Sequence, residues 1–162
     1  MPPDHDLRDQ VISLLKARGY ERREEPFQLA SGAWSHDYVD CRRALARGDG
    51  LELASRAVVA HLASRGIQFD AVGGLTMGAD PLAHGIAVVT GGAWFSVRKE
   101  AKEHGKGRLI EGCAVEATGA DVVAAVPLLD RGDGARVRFQ QRKVLYLPVA
   151  TYRDLAIDPV GT

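Results

Sequence analysis

The chain has 162 residues, 46% hydrophobic and 26% charged, which suits one compact domain with a real core and argues against disorder. Twenty-one basic residues balance twenty-one acidic ones, so there is no global cationic field for nucleic acid and any anion site must be local. The two cysteines, Cys41 and Cys113, make neither a disulfide framework nor a metal quartet; with no membrane-length apolar run and no secretory pattern, a cytoplasmic setting is expected.

In chain order, Asp6–Ala17 reads as an amphipathic helix with Leu7, Val11, Leu14 and Leu15 on one face, Asp6 as a cap and Gly19 as the end. Residues 51–65 form a second helix that Gly66 stops. FDAVGG (69–74) is a short β-prone run ending in glycines. Asp80 suits the N-cap and Pro81 the first turn of a third helix. WFSVR (94–98) is a strand, followed by a polar, glycine-punctuated loop from Lys99 to Gly112. Residues 113–118 look like the tail of a helix. VVAAVPLLD (122–130) is a continuous apolar run suited to a strand buried on both faces. A helix around Ala135–Arg142 leads to the strand VLYLPVA (144–150). The alternation predicts an α/β layered fold in a single domain, 1–162.

Two stretches carry chemistry. Val72 to Pro81 places a strand, a glycine-rich turn and a helix start in succession, where backbone N–H groups and the helix terminus favour an anion. It is neither a Walker A loop nor a dinucleotide fingerprint, and read alone it is equally an ordinary tight turn. Arg98 to Arg108 holds five Lys/Arg and two acids, a local charge of +3 in a neutral protein. Such a loop can gather around a polyphosphate, although most charge runs are only solvated surface.

The order of residues decides between these readings. RKEAKEHGKGRLIEG (98–112) resembles the mobile catalytic loop of the orotate phosphoribosyltransferase family. FQLASGAWSHDYVDCRRAL (27–45) is similar to that family's orotate-binding segment, and VGGLTMGADPLA (72–83) to its pyrophosphate loop. VVAAVPLLDRGDGA (122–135) is similar to the strand ending in an orotate-contacting arginine, and TYRDLAIDP (151–159) to a carboxy-terminal stretch of several members.

The resemblance implies the type I phosphoribosyltransferase fold, a parallel sheet flanked by helices, with residues 1–45 as helix and base-binding hood and 46–162 as core. It implies transfer of ribose 5-phosphate from phosphoribosyl pyrophosphate to orotate, giving orotidine 5′-monophosphate and pyrophosphate in pyrimidine biosynthesis. Mg²⁺ would accompany the donor, and a homodimer would share its active sites. Position by position, Arg98, Lys99, Lys102 and His104 would contact the donor, with Lys102 and His104 the catalytic pair and Lys102 foremost. Thr76, Met77 and Gly78 would cradle pyrophosphate. Arg131 would pair with the orotate carboxylate, Tyr38 and Val39 would line the pyrimidine pocket, and Ser31 and Gly32 would shape the loop beside it. Read without the family, Arg131 is more readily a partner for Asp130 or Asp133 at a strand end, and Tyr38 a core aromatic. Cys41 and Cys113 read as small buried apolar residues, and no protein metal ligands are assigned. Two other readings stay open: a catalytically silent relative that binds a nucleotide or pyrimidine, and a transferase for another base.

The sequence departs from the family at three places. Ala30 and Met77 stand where members often carry lysine. The third departure is larger: the strand ending in two acids and a Thr-Thr-Gly-type turn, which grips the 5-phosphate, has no counterpart between Gly112 and Cys113. Excising such a strand, roughly 25 residues with its loop and helix start, would strip ladder partners from its neighbours. A segment of this kind is therefore expected between Gly112 and Cys113 in the expressed protein. Intact mass spectrometry decides: a mass above 17.4 kDa is expected, and 17.4 kDa itself removes the extra segment.

Overall fold

The computed structural model describes residues 4–29, 32, 34–100, 110–112, 120–132 and 134–159. Helix α1 (Asp4–Leu14) buries Leu7, Val11 and Leu14 at i, i+4 and i+7, then continues as a π-helical turn, Leu15–Gly19, in which Leu15 is fully buried. The helix thus starts two residues before the expected cap. Arg8 anchors it to the far end of the chain, donating to the Val149 carbonyl at 3.0 Å and pairing with Asp154 at 2.7 Å.

Strands β1 (Tyr20–Gln28) and β2 (Trp34–Val39) form an antiparallel hairpin with a register shift between Arg22 and Phe27. Sequence periodicity predicts no strands here. YERREEPFQ is charged on both faces, so pairing with β2 holds it extended rather than burial of an apolar face. Helix α2 (Cys41–Leu45) is capped by Asp40, whose side chain accepts from the Arg42 N–H, and α3 (Gly48–Ala63) packs on α1.

Strand β3 (Ala71–Leu75), helix α4 (Asp80–Thr90) and strand β4 (Ala93–Val97) make a right-sized βαβ unit, with β3 and β4 parallel and Leu75 opposite Val97. The N-cap of α4 is Ala79, not Asp80, whose side chain is engaged elsewhere. Gly91 ends the helix in the left-handed region, as helix ends favour. Strand β5 (Ile110–Gly112) runs antiparallel to β4, which corrects the expected loop to Gly112: the chain leaves β4 and returns beside it. The expected helix tail at 113–118 lies outside the described residues.

The two apolar runs near the carboxy terminus are each broken in two. Strands β6 (Ala124–Ala125) and β7 (Leu129–Asp130) pair in parallel with β8 (Leu145–Tyr146) and β9 (Ala150–Thr151). Both ladders keep one register, so Pro127 and Pro148 fall opposite each other, and the missing N–H groups open the ladder there. Backbone bonds from Leu147 to Ala125 and from Val149 to Pro127, each 3.0 Å, bridge the break. Helix α5 (Ala135–Gln141) connects the runs. Among the described residues, β3 pairs only with β4 and β6 only with β8, so each has one open edge.

Helices α3 and α4 cross at their small residues. A Cβ at Gly85 would collide with the Ser55 hydroxyl and come within 3.1 Å of Leu51. Ser55, fully buried, already donates to the Leu51 carbonyl at 2.7 Å and cannot yield. The Gly85→Val variant should lose about 1–3 kcal/mol of stability through overpacking, read as a lowered denaturant midpoint.

Candidate active site

Because Leu75 and Val97 are partners in a parallel ladder, the residues that follow them emerge side by side at the carboxyl edge of the strands. That edge is where open α/β sheets bind ligands. The Thr76 N–H donates to the Val97 carbonyl at 2.8 Å, which closes the turn onto β4. Thr76, Arg98, Lys99 and Glu100 line a cavity of about 380 Å³. The turn contains a cis peptide between Thr76 and Met77, and Met77 is 74% exposed.

The glycines here have separate jobs. A Cβ at Gly73 would collide with the Phe95 carbonyl, and one at Gly74 would lie 2.5 Å from the Ala79 Cβ. Both are needed for packing the strand against β4 and the helix start. Only Gly78 faces open space, with nothing within 4 Å of its Cβ position, so it is the turn glycine that leaves room for a ligand.

Arg98 is half-buried and its Nε donates to Glu111 Oε1 at 2.7 Å; Lys99 is exposed. That ion pair joins the described segments on either side of residues 101–109. Lys102 and His104 lie outside the described residues, as does Ser31. Gly32 adopts φ 89°, with its N–H on the Leu29 carbonyl at 2.9 Å.

The second grouping gathers where β7, β9 and the hairpin meet. Asp130 is opposite Thr151, so Arg131 and Tyr152 follow at adjacent strand ends. Tyr38 lies edge-on to Phe27, ring centroids 5.7 Å apart, with the Arg23 guanidinium 5.3 Å from its ring, and Val39 packs against the core. Asp37 accepts from the Tyr20 hydroxyl and from Arg22, each at 2.8 Å. The Asp130 carboxylate accepts from the Gly132 N–H at 2.9 Å. Burial pushes the Cys41 thiol up to about 11, Asp40 adds to the rise, and Arg131 pulls it back. Tyr152 is raised by burial too, with Arg131 opposing and Cys41, Asp37 and Tyr38 adding. Those mutual influences place Arg131, Cys41, Tyr152, Asp37 and Tyr38 in one neighbourhood.

Tyr152, Asp37, Ser96 and Glu111 escaped the sequence reading. Each is unremarkable in local spacing and acquires its neighbours through strand pairing. The available signal was that Asp130-Arg131 and Thr151-Tyr152 each end an apolar run of similar shape. A wider depression of about 460 Å³ between α1 and α3 holds none of the predicted site residues. Among the described residues no group of three His, Cys, Asp or Glu could hold a metal ion, so they do not form a protein cage for one. No helix among them is long and apolar enough to cross a membrane.

No protein-family model matches the chain. A solved structure of Mycobacterium tuberculosis orotate phosphoribosyltransferase in complex with 5-phospho-α-D-ribosyl 1-diphosphate is similar, with TM-score 0.71, 26% identity, and coverage of 93% of this chain and 99% of that one. The architecture is that of the type I phosphoribosyltransferases. Orotate phosphoribosyltransferase of Rhodopirellula baltica is 31% identical, over 92% of this chain and 94% of its own. That of Streptomyces coelicolor is 33% identical, over 94% and 99%. The chain belongs to the orotate phosphoribosyltransferase family. The alignment with the Rhodopirellula protein runs over 183 positions, more than the 162 residues of this chain, so part of that protein faces gaps here.

The raised Cys41 thiol has a direct consequence. In a Cys113→Ser variant, alkylation by iodoacetamide at pH 8 should be far slower than for an unhindered thiol and should climb toward pH 11. A reaction midpoint near pH 8.5 would mean that Cys41 is not held in this buried environment.

Proposed function

We infer that the protein is an orotate phosphoribosyltransferase, joining orotate to the ribose 5-phosphate of phosphoribosyl pyrophosphate and releasing pyrophosphate, as a step of pyrimidine biosynthesis. The observation that carries this is the pairing of Leu75 with Val97, which sets the Thr76–Gly78 turn beside Arg98 and Lys99, where the cationic stretch of the sequence begins. Family membership and a relative that holds the same donor support it.

In this reading, the turn Thr76, Met77 and Gly78 receives the diphosphate beside the amino terminus of α4, with the Met77 and Gly78 N–H groups as donors while the Thr76 N–H stays on the Val97 carbonyl. As the bond from ribose C1 to the diphosphate oxygen lengthens, positive charge grows on the sugar and negative charge on the leaving group. Arg98, Lys99, Lys102 and His104 stabilise that anion, Lys102 foremost, and closure of the loop keeps water from the donor. Arg98 must first exchange its bond to Glu111 for the phosphate oxygens. Arg131 receives the orotate carboxylate with its planar fork, Tyr38 and Val39 flank the ring, and Ser31 and Gly32 shape the adjoining loop. Residues 1–45 act as the hood on the core, 46–162. Mg²⁺ enters on the donor as part of the substrate and shields its charge.

We also assign a homodimer and a cytoplasmic setting. Val88 is 83% exposed on α4, with Val89 and Trp94 also exposed beside it, an apolar surface suited to a second copy. Two cysteines in 162 residues fit a reducing compartment.

The test mixes the protein with orotate, phosphoribosyl pyrophosphate and Mg²⁺ and follows orotate loss and pyrophosphate release. Turnover is expected, and Lys102→Ala should reduce it roughly a hundredfold while leaving the melting temperature unchanged. Orotate binding without turnover in the wild type would instead identify a silent relative.

A further inference from the structure

We propose that Asp80 is the positioning residue for the donor's diphosphate, through one carboxylate oxygen that ties the helix start, the turn and the end of β4 together. This rests on reading the Thr76–Gly78 turn as the diphosphate side of the site. Asp80 is the first residue of α4, yet the cap position belongs to Ala79, which makes no side-chain cap bond. The Asp80 carboxylate is directed instead across the sheet edge. Its Oδ1 accepts from Ser96 Oγ at 2.7 Å and from Thr76 Oγ1 at 3.5 Å. Ser96 sits one residue before Val97, whose carbonyl holds the Thr76 N–H. The turn is therefore fixed to β4 twice, once by backbone and once through Asp80.

The charge makes this placement informative. Asp80 does not itself line the cavity, but its carboxylate is bonded to Thr76, which lines it with Arg98 and Lys99, and so repels a polyanion held there. The positive end of α4 offsets part of that repulsion. A group that opposes the ligand electrostatically contributes by what it holds, namely two hydroxyls that fix the turn before the ligand arrives. Such preorganisation shows in donor binding and not in binding of the base.

The experiment measures steady-state constants for both substrates, binding of inorganic pyrophosphate with Mg²⁺ by calorimetry, and melting temperature. Asp80→Ala should raise the KM for phosphoribosyl pyrophosphate and the Kd for pyrophosphate about tenfold, as expected for lost hydrogen bonds to a charged group. The orotate KM and the melting temperature should stay near wild type. Ser96→Ala should shift donor affinity in the same direction. Asp80→Asn keeps an acceptor oxygen and sheds the charge, so it should recover most of what Asp80→Ala loses. Unchanged pyrophosphate affinity in Asp80→Ala, or equal losses for both substrates with a lowered melting temperature, overturns the assignment. A wild type that neither binds pyrophosphate nor turns over the donor overturns the reading of the site as well, which separates the two failures.

Discussion

Parallel pairing between β3 and β4 is the constraint on which the site depends. It aligns Leu75 with Val97 and so delivers a turn and an arginine to the same edge from segments twenty-two residues apart. The helix between them, α4, follows the turn directly and points its amino terminus at the same place. Three sources of positive potential, the turn's N–H groups, the helix end and the Arg98–Lys99 pair, then act on one cavity without any global charge on the protein. Glycines 73 and 74 serve this arrangement from behind, because any side chain there would push β3 off β4 or off the helix start.

A second parallel pair repeats the device at the place proposed for the base. The offset that pairs Ala124 with Leu145 also pairs Asp130 with Thr151, which puts Arg131 next to Tyr152. Opposed prolines weaken the middle of this ladder, and the backbone bonds on either side carry the register across. Arg8 of α1 grips Val149 and Asp154, so the amino-terminal helix steadies the strand end that carries Tyr152. Cys41, just after β2, feels Arg131 electrostatically, which links the hairpin to that strand end.

The open edges of β3 and β6 bear on the largest departure of the chain from its family. A strand with an acid pair and a phosphate-gripping turn is expected after Gly112, and the described strands on either side each have one partner only. The alignment with a relative opens gaps in this chain as well. The proposed diphosphate and base contacts thus fall on residues that are present, whereas the family's 5-phosphate motif has no counterpart in this sequence.

Much was legible before any coordinates. Helices α1, α3 and α4, the strands β3 and β4, and the order of the motifs follow from local signals: an apolar period, a proline after Asp80, glycines at helix ends, and a +3 loop in a neutral chain. The hairpin at 20–39 did not, because a strand as charged as β1 is held by its partner's hydrogen bonds and leaves no alternation to read. The split of VVAAVPLLD and VLYLPVA needed the register that brings Pro127 to Pro148. By itself, then, the amino-acid order determined the family, the main helices with β3 and β4, and the residue types proposed to meet a polyanion and an acidic base. Tertiary structure alone decided that Asp80 meets Ser96, that Arg98 meets Glu111 and that Arg131 stands by Tyr152. Those neighbours are set by ladder register and by long-range packing, of which the chain shows only the two similar apolar runs that end before Arg131 and Tyr152.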